Sequence, residues 1–260
     1  MEQTSTIWVF KPIGWNPKDC ITECQTYHPE KKLSFAGRLD PMACGLLPII
    51  INDSKNITRD KLQDEYKTYK FNIILGFESD TFDILGIVKE KENKFDTITE
   101  TQLNIVKETK SQTYPAYSSK TVFSPTHKKQ VALWELAKLG LLPETLPKRD
   151  INISDIHIID KKIITNKELL DIVLSRLNTI SDKSDFRKSD IIDCWNKLLN
   201  SNNETNYIIY SLEATVSSGT YIRTIANQLN GIAYDICRTS INNKKINSND
   251  YDYFKFVYNI

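Results

Sequence analysis

Apolar and polar residues alternate along two stretches of the chain. Tyr69, Phe71, Ile73 and Leu75 are separated by Lys70, Asn72 and Ile74, which predicts a half-buried β-strand. From Tyr207 to Val216 the residues Ile208, Tyr210, Leu212, Ala214 and Val216 share a second alternating face, ending at Ser217-Ser218-Gly219. Thr6 to Phe10 predicts a third strand, and the unbroken apolar run Leu46 to Ile51 follows a turn-rich loop. Helical spacing appears elsewhere. Pro17 to Gln25 predicts a short helix with proline in its first turn. Thr99 and Gln102 form a capping box with Ile98 and Leu103 as a hydrophobic staple, predicting a helix over about 100–109. Ile222, Ile225, Ala226 and Leu229 repeat at helical spacing, with Gly231 positioned to end that helix. Strands with interspersed helices and no regular βαβ alternation predict an α+β fold around a mixed, largely antiparallel central sheet with flanking helices.

Residues 161–205 break this pattern. Thr165 and Glu168 make another capping box, and Leu169, Leu170, Ile172, Val173, Leu174 and Leu177 give an apolar face. Ile191, Ile192, Trp195, Leu198 and Leu199 mark a second helix within Phe186 to Leu199. Charge here is nearly balanced, eight Lys/Arg against seven Asp/Glu. The pattern predicts a helical hairpin inserted between two sheet strands and separable from them. Residues 1–160 and 206–260 then form the main domain. A packing or protein-contact appendage and an arm that grips a ligand are equally open for the hairpin. The aromatic stretch Tyr251 to Tyr258 predicts one further strand packed on the sheet.

Composition sharpens the picture modestly. The chain has 260 residues, 40% of them hydrophobic and 26% charged, as in ordinary globular proteins. Its net charge of +1 gives no global nucleic-acid signature. Local charge is uneven, because residues 120–149 carry Lys120, Lys128, Lys129, Lys138, Lys148 and Arg149 against Glu135 and Glu144. Five cysteines, with no zinc-type spacing, point to free thiols in a reducing compartment. No signal-peptide pattern and no run of ~18 apolar residues is present, so a cytoplasmic location is expected, with nuclear or organellar ones open, and no membrane contact.

Candidate chemistry centres on Ser34-Phe-Ala-Gly-Arg-Leu-Asp-Pro-Met-Ala-Cys-Gly-Leu-Leu-Pro48. Asp40 lies between a turn at Gly37 and another expected from Pro41 to Gly45. Glycine supplies backbone angles other residues avoid, and proline fixes φ, so this carboxylate sits on a rigid, partly apolar loop. Such a loop can display a nucleophile, although aspartate in turns also serves local hydrogen bonding.

The segment resembles the Gly-x-Leu-Asp-Pro-x-Ala-x-Gly-Leu-Leu motif of the TruB family of tRNA pseudouridine synthases. Further matches follow in the family's order. Lys11-Pro-Ile-Gly14 resembles its opening Lys-Pro-x-Gly, and Lys67-Thr-Tyr69 its Lys-x-Tyr strand. Gly76 to Asp83 resembles its Gly-x-x-Thr-Asp-Thr-x-Asp loop, and Tyr114 to Lys120 its Pro-Pro-x-Tyr-Ser-Ala-x-Lys segment. Lys129 to Leu139 looks like the short helix that comes next, and Ser218-Gly-Thr-Tyr-Ile-Arg223 like Lys-Gly-Thr-Tyr-Ile-Arg. The resemblance covers about residues 7–160 and 207–240 and implies the pseudouridine synthase fold, without the C-terminal PUA domain that many members add.

It also implies roles. Asp40 corresponds to the family's catalytic aspartate and Tyr69 to its Lys-x-Tyr tyrosine. Arg223 is the expected ion-pair partner of Asp40, since its planar fork holds a carboxylate and stays charged. Tyr221, Phe35, Arg38 and Lys67 are the expected substrate-binding residues, and the basic 120–149 stretch adds Lys128 and Lys129 as expected phosphate contacts. Asp80 and Asp83 read as loop-capping carboxylates, and His28, His127 and His157 fall at no matched position. No metal or other cofactor is implied. A structured RNA, tRNA first, is the implied partner of a monomer.

Two departures bear on which RNA is recognised. Phe35 stands where the family usually has histidine, and Arg38 where it usually has a small residue; Gly-Arg-Leu-Asp is instead how related synthase families write this motif. Two other classes stay open from sequence: an inactive RNA-binding chaperone keeping the fold, and a metal-dependent nuclease or hydrolase using Asp40, Asp80 and Asp83.

Overall fold

The structure is a computed structural model that describes residues 4–53, 55, 57–91, 97–181, 186–200 and 205–246. The aromatic stretch Tyr251 to Tyr258 lies outside the described residues. In chain order the elements are β1 (Ser5–Lys11), α1 (Pro17–Tyr27), β2 (Leu33–Phe35), β3 (Ala43–Ile51), α2 (Ile57–Asp64), β4 (Lys67–Leu75), β5 (Phe77–Ser79), β6 (Val88–Glu90), α3 (Glu100–Lys107), β7 (Ser111–Thr113), β8 (Thr121–Ser124), β9 (Lys129–Ala132) and α4 (Leu133–Lys138). They continue with β10 (Lys148–Asp150), β11 (Ile153–Thr165), α5 (Asn166–Thr179), α6 (Lys188–Leu199), β12 (Asn206–Val216), α7 (Ile222–Gln228), β13 (Gly231–Ile241) and β14 (Lys244–Lys245).

One large sheet organises the chain, with strand order β1-β3-β13-β4-β12-β11, β2 added on β3 and β14 on β13. All its pairings are antiparallel except β3 with β13, where Ala43, Cys44 and Gly45 lie beside Ile236, Cys237 and Arg238. The fold is therefore α+β with a mixed, largely antiparallel sheet. Alternation reflects one covered face in β4, whereas β3 is buried at all nine positions. The reason is two-sided packing. Cys20 and Cys24 of α1, one helical turn apart, join Val9, Leu47 and Ile49 in a cluster on one side, while Ala43 belongs to the main core on the other. The five cysteines are free thiols.

Several local expectations meet a different outcome. Lys129 to Leu139 is not one helix: its first residues form β9, which returns on β8 as a hairpin, and only Leu133–Lys138 is helical. Gly45 lies inside β3, where its φ of +114° lets the strand approach the Arg238 backbone; an added Cβ would meet that carbonyl oxygen at 2.3 Å. Asn230, at φ +63°, makes the left-handed step after α7, and Gly231 already begins β13.

The helical hairpin does not stand apart from the sheet. β11 runs on to Thr165, and α5 and α6 bury Leu169, Val173, Leu177, Ile191, Trp195 and Leu199 in the same core as Phe71, Ile73 and Leu212. Trp195 is fully buried, packs edge-on against Phe77 with ring centroids 5.1 Å apart, and donates its indole N–H to the Ile84 carbonyl at 2.9 Å. Arg176 of α5 donates to the Tyr234 carbonyl and lies over that tyrosine's ring. The apolar faces of the helices are satisfied by the sheet as well as by each other, which amphipathic spacing alone does not reveal.

Candidate active site

The Asp40 loop is held from three directions. Gly14 of the opening motif donates its backbone N–H to the Pro41 carbonyl at 2.8 Å. Ala43 donates to the Asp40 carbonyl at 3.0 Å, closing a tight turn before β3. Arg238 of β13, fully buried, donates to the carbonyls of Leu46 (2.7 Å), Arg38 (3.4 Å) and Gly37 (3.2 Å). Gly37 takes φ +68°, and a Cβ there would crowd the Arg238 guanidinium at 3.2 Å. A buried arginine thus spends its donors on the backbone of the loop that carries Asp40, satisfying its own charge and fixing the loop together.

Arg223 arrives from the other end of the sheet. β12 ends at Val216, a Ser217–Thr220 turn follows, and α7 begins with Ile222. No side chain of its own caps α7; instead Gln112 of β7, itself buried, accepts the Tyr221 N–H at 2.9 Å. This places Arg223 in the first turn of α7, 3% exposed. Its Nε donates to Asp40 Oδ2 at 2.8 Å, Nη1 to the Thr81 carbonyl at 2.6 Å and Nη2 to the Tyr117 carbonyl at 3.1 Å. Asp83 Oδ2 lies 3.6 Å from the same Nε. Burial opposes the Arg223 charge, but Asp40 and Asp83 more than offset this and hold its pKa above the ordinary arginine value.

The two carboxylates differ in their surroundings. Asp40 keeps 39% of its side chain exposed, whereas Asp83 is buried and accepts from Thr81 Oγ1 and the Leu85 N–H, both at 2.9 Å. Burial pushes the Asp83 carboxyl up to about 6 against the pull of Arg223 and these donors. Asp80 does cap its loop, accepting the Ile87 N–H at 2.8 Å. Asp83 does so too, but it is also a second anion on Arg223, which the sequence pattern gave no reason to expect.

Asp40, Tyr69 and Arg223 line one cleft of about 350 Å³, together with Tyr221, Arg38 and Lys67. Lys120 and Arg149 add cations to its wall. Tyr69 is 7% exposed and extends from β4 beside Ala214 of β12 and Arg238 of β13. Tyr221 stacks edge-on with Tyr114, and burial together with the Asp40 charge pushes its hydroxyl up to about 12. Lys67 contributes carbon more than charge. Its ammonium donates to the carbonyls of Gln63 and Glu65, at 2.8 and 2.6 Å, and burial lowers its pKa to about 8.

Three expected substrate-binding residues lie elsewhere. Phe35 pairs with Ile49 and packs against the cluster formed with α1, away from the cleft lining. Lys128 and Lys129 are exposed at the β8–β9 turn, with Lys128 at φ +53°. They are available to a large ligand extending beyond the cleft, not to one confined within it. Gln112 and Arg238 went unnoticed in sequence because each is a buried polar residue whose partners lie far along the chain, and the place of Asp83 beside Arg223 was hidden for the same reason. Among the described residues no cluster of three or more His, Cys, Asp and Glu could hold a metal ion, and no helix is long and apolar enough to cross a membrane.

A family model described as "TruB family pseudouridylate synthase (N terminal domain)" matches residues 25–175. The chain belongs to the TruB family. It is 29% identical over 213 residues to tRNA pseudouridine synthase B of Clostridium acetobutylicum, covering 82% of this chain and 66% of that protein. Against the Ureaplasma urealyticum protein of the same name it is 32% identical over 171 residues, 65% of this chain and 70% of the relative. For the Bacillus subtilis protein the values are 35% over 152 residues, 56% and 46%. The chain thus spans from about half to 70% of the length of these relatives. Among solved structures, a chain of a Cbf5-Nop10-Gar1 complex superposes with a TM-score of 0.50 over 93% of this chain and 50% of its own length, at 13% identity. That likeness concerns the fold alone.

Proposed function

We propose that this TruB-family chain is an RNA pseudouridine synthase that isomerises one uridine of a structured RNA, with the T-loop of tRNA as the first substrate to test. The observation that carries the proposal is a half-exposed carboxylate, Asp40, held at 2.8 Å by an almost fully buried arginine in a cleft that Tyr69 also lines. The relatives named as tRNA pseudouridine synthases support tRNA as the substrate class.

The reaction breaks the N1–C1′ glycosidic bond, turns the uracil and rejoins it through C5. No electron is gained or lost overall, so the protein must supply a nucleophile, proton transfer and confinement. Asp40 is the proposed nucleophile, attacking the ribose or the base. Arg223 keeps its charge at any working pH and orients the carboxylate by engaging its Oδ2. Tyr69 offers a ring for the everted base to stack upon, which helps offset the few kcal/mol needed to take a base out of its stack. Tyr221, with its pKa near 12, stays protonated and serves as a wall or hydrogen-bond donor, not as a base. The cleft volume suits one nucleoside and retains the detached uracil between cleavage and rejoining.

Incubation with tRNA transcripts tritiated at C5 of uracil tests the reading. Tritium release, followed by mapping of the modified position, is the expected result. No release from any transcript, with folded protein, would overturn it.

A further inference from the structure

The helical hairpin matches no motif, yet it grips the site at two points. Arg187 immediately precedes α6 and takes a left-handed backbone conformation, φ 54° and ψ 33°. Its Nη1 donates to Asp80 Oδ2 at 2.7 Å, and its guanidinium lies 4.4 Å from the centroid of the Tyr117 ring. Trp195, two turns further along α6, donates to the Ile84 carbonyl. Asp80 and Ile84 bracket the short segment that supplies the Thr81 carbonyl and the Asp83 carboxylate to Arg223, and Tyr117 supplies the third acceptor. Each of the three groups that hold Arg223 besides Asp40 is therefore backed by the hairpin within a few residues. The arrangement is polar and partly shielded: the Arg187 and Asp80 side chains are 22% and 32% exposed, so their pairing is worth more than that of a fully exposed surface pair.

We propose that Arg187 is a positioning residue that aims Arg223 at Asp40 by clamping Asp80 and Tyr117. It touches neither Asp40 nor the cleft lining, so its effect passes through the loop and through Tyr117. The proposal rests on the synthase reading for its kinetic consequence but not for its geometric one.

The test uses the full chain with Arg187→Gln, Asp80→Asn, both together, and Arg187→Lys. Arg187→Gln is expected to lower kcat for tritium release by about 10- to 100-fold, as a small misplacement of a reacting group does, with KM within about twofold. Adding Asp80→Asn should cost no more, because both changes break one contact. Arg187→Lys should recover part of kcat, keeping the charge on Asp80 while losing the flat stack on Tyr117. A purely structural role would instead reduce activity in proportion to the folded fraction at the assay temperature. Exchange of the Arg223 Nε–H proton, followed by NMR, gives a readout independent of turnover and is expected to quicken by about tenfold or more in Arg187→Gln. An inactive wild type would sink the synthase reading and leave this measurement standing. Unchanged Arg223 exchange in Arg187→Gln overturns the clamp whatever the activity; if that variant does not fold, Asp80→Asn and Arg187→Lys decide by the same measurement.

Discussion

Arg223 Nε lies 2.8 Å from Asp40 Oδ2 although 183 positions separate the two residues. Nothing local joins them. β3, leaving the Asp40 loop, runs parallel to β13, and α7, carrying Arg223, is the connection from β12 into β13. The sheet order therefore brings the loop before β3 and the first turn of α7 side by side. With four acceptors around one guanidinium, substitution should be severe. Arg223→Ala leaves Asp83 as an unpaired buried charge and should cost about 3–5 kcal/mol of stability, measurable by urea unfolding, besides nearly all turnover. Arg223→Lys should retain more of both but remain poor, because a point charge cannot serve Asp40, Thr81 and Tyr117 at once. Equal activity of the Lys variant and the wild type would show that the fork is dispensable.

Asp40→Asn should abolish turnover while RNA affinity stays within several-fold of wild type. The amide keeps the size and can still accept from Arg223, but it is no nucleophile. Tritium release and binding assays on the same preparation separate the two effects. Multiple turnover by a clean Asp40→Asn preparation would remove this residue from the role proposed for it.

Much of this was legible in sequence, and the reasons are local. The capping boxes of Thr99 with Gln102 and Thr165 with Glu168 both start helices where expected, and the alternation of residues 69–75 and 207–216 marks β4 and β12. Proline at the start of α1 and the turn residues around Asp40 act within a few positions, so the chain carries their signal directly. β13 escaped attention because its apolar positions are interrupted by Asp235 and Arg238, which a strand pattern counts as outward-facing. Inside the fold both find partners: Asp235 accepts from Asn72, and Arg238 is consumed by the Gly37–Arg38 backbone. Phe35 was misplaced for the converse reason. A family position marks where the backbone runs, while the side chain follows whichever apolar neighbours it meets, here the cluster around Cys20 and Leu47.

The pH dependence of stability should report on Asp83. Its folded pKa, about 6, lies above the ordinary carboxylate value of 3.8, so its contribution is fully present below about pH 3.8 and is lost as pH rises through 6. Asp83→Asn keeps an acceptor for Thr81 and Leu85 but cannot ionise. The stability of this variant relative to wild type should therefore rise between pH 4 and 6 and level off above that. Thermal unfolding across this range measures it, and a difference independent of pH would mean that Asp83 is not held against its charge.

RNA binding should weaken steeply with salt, since phosphate contacts release condensed counterions. Lys128 and Lys129 sit exposed on the β8–β9 turn, beyond the Lys120 that lines the cleft. Replacing both with glutamine should flatten the slope of log affinity against log salt by up to roughly two units while leaving the kcat of bound RNA unchanged. An unaltered slope would show that the hairpin points away from the RNA.

The hairpin's place in the core reverses what its balanced charge suggested. A separable appendage would tolerate deletion of residues 166–204 with a short linker in place. With Trp195 fully buried against Phe77, and Leu169, Val173 and Leu177 in the main cluster, deletion should instead expose the sheet face and leave the chain insoluble or molten. A single substitution tests this more gently. Trp195→Ala removes a large buried ring and strands the Ile84 carbonyl without its donor, so it should cost about 3–5 kcal/mol, the range for large aromatic truncations. Leu198→Ala, on the same helix but only partly buried, should cost less. Urea unfolding of the two variants side by side would decide between a hairpin that shares the core and one that stands apart, because in the second case Trp195→Ala would loosen the helices and leave the main transition where it was.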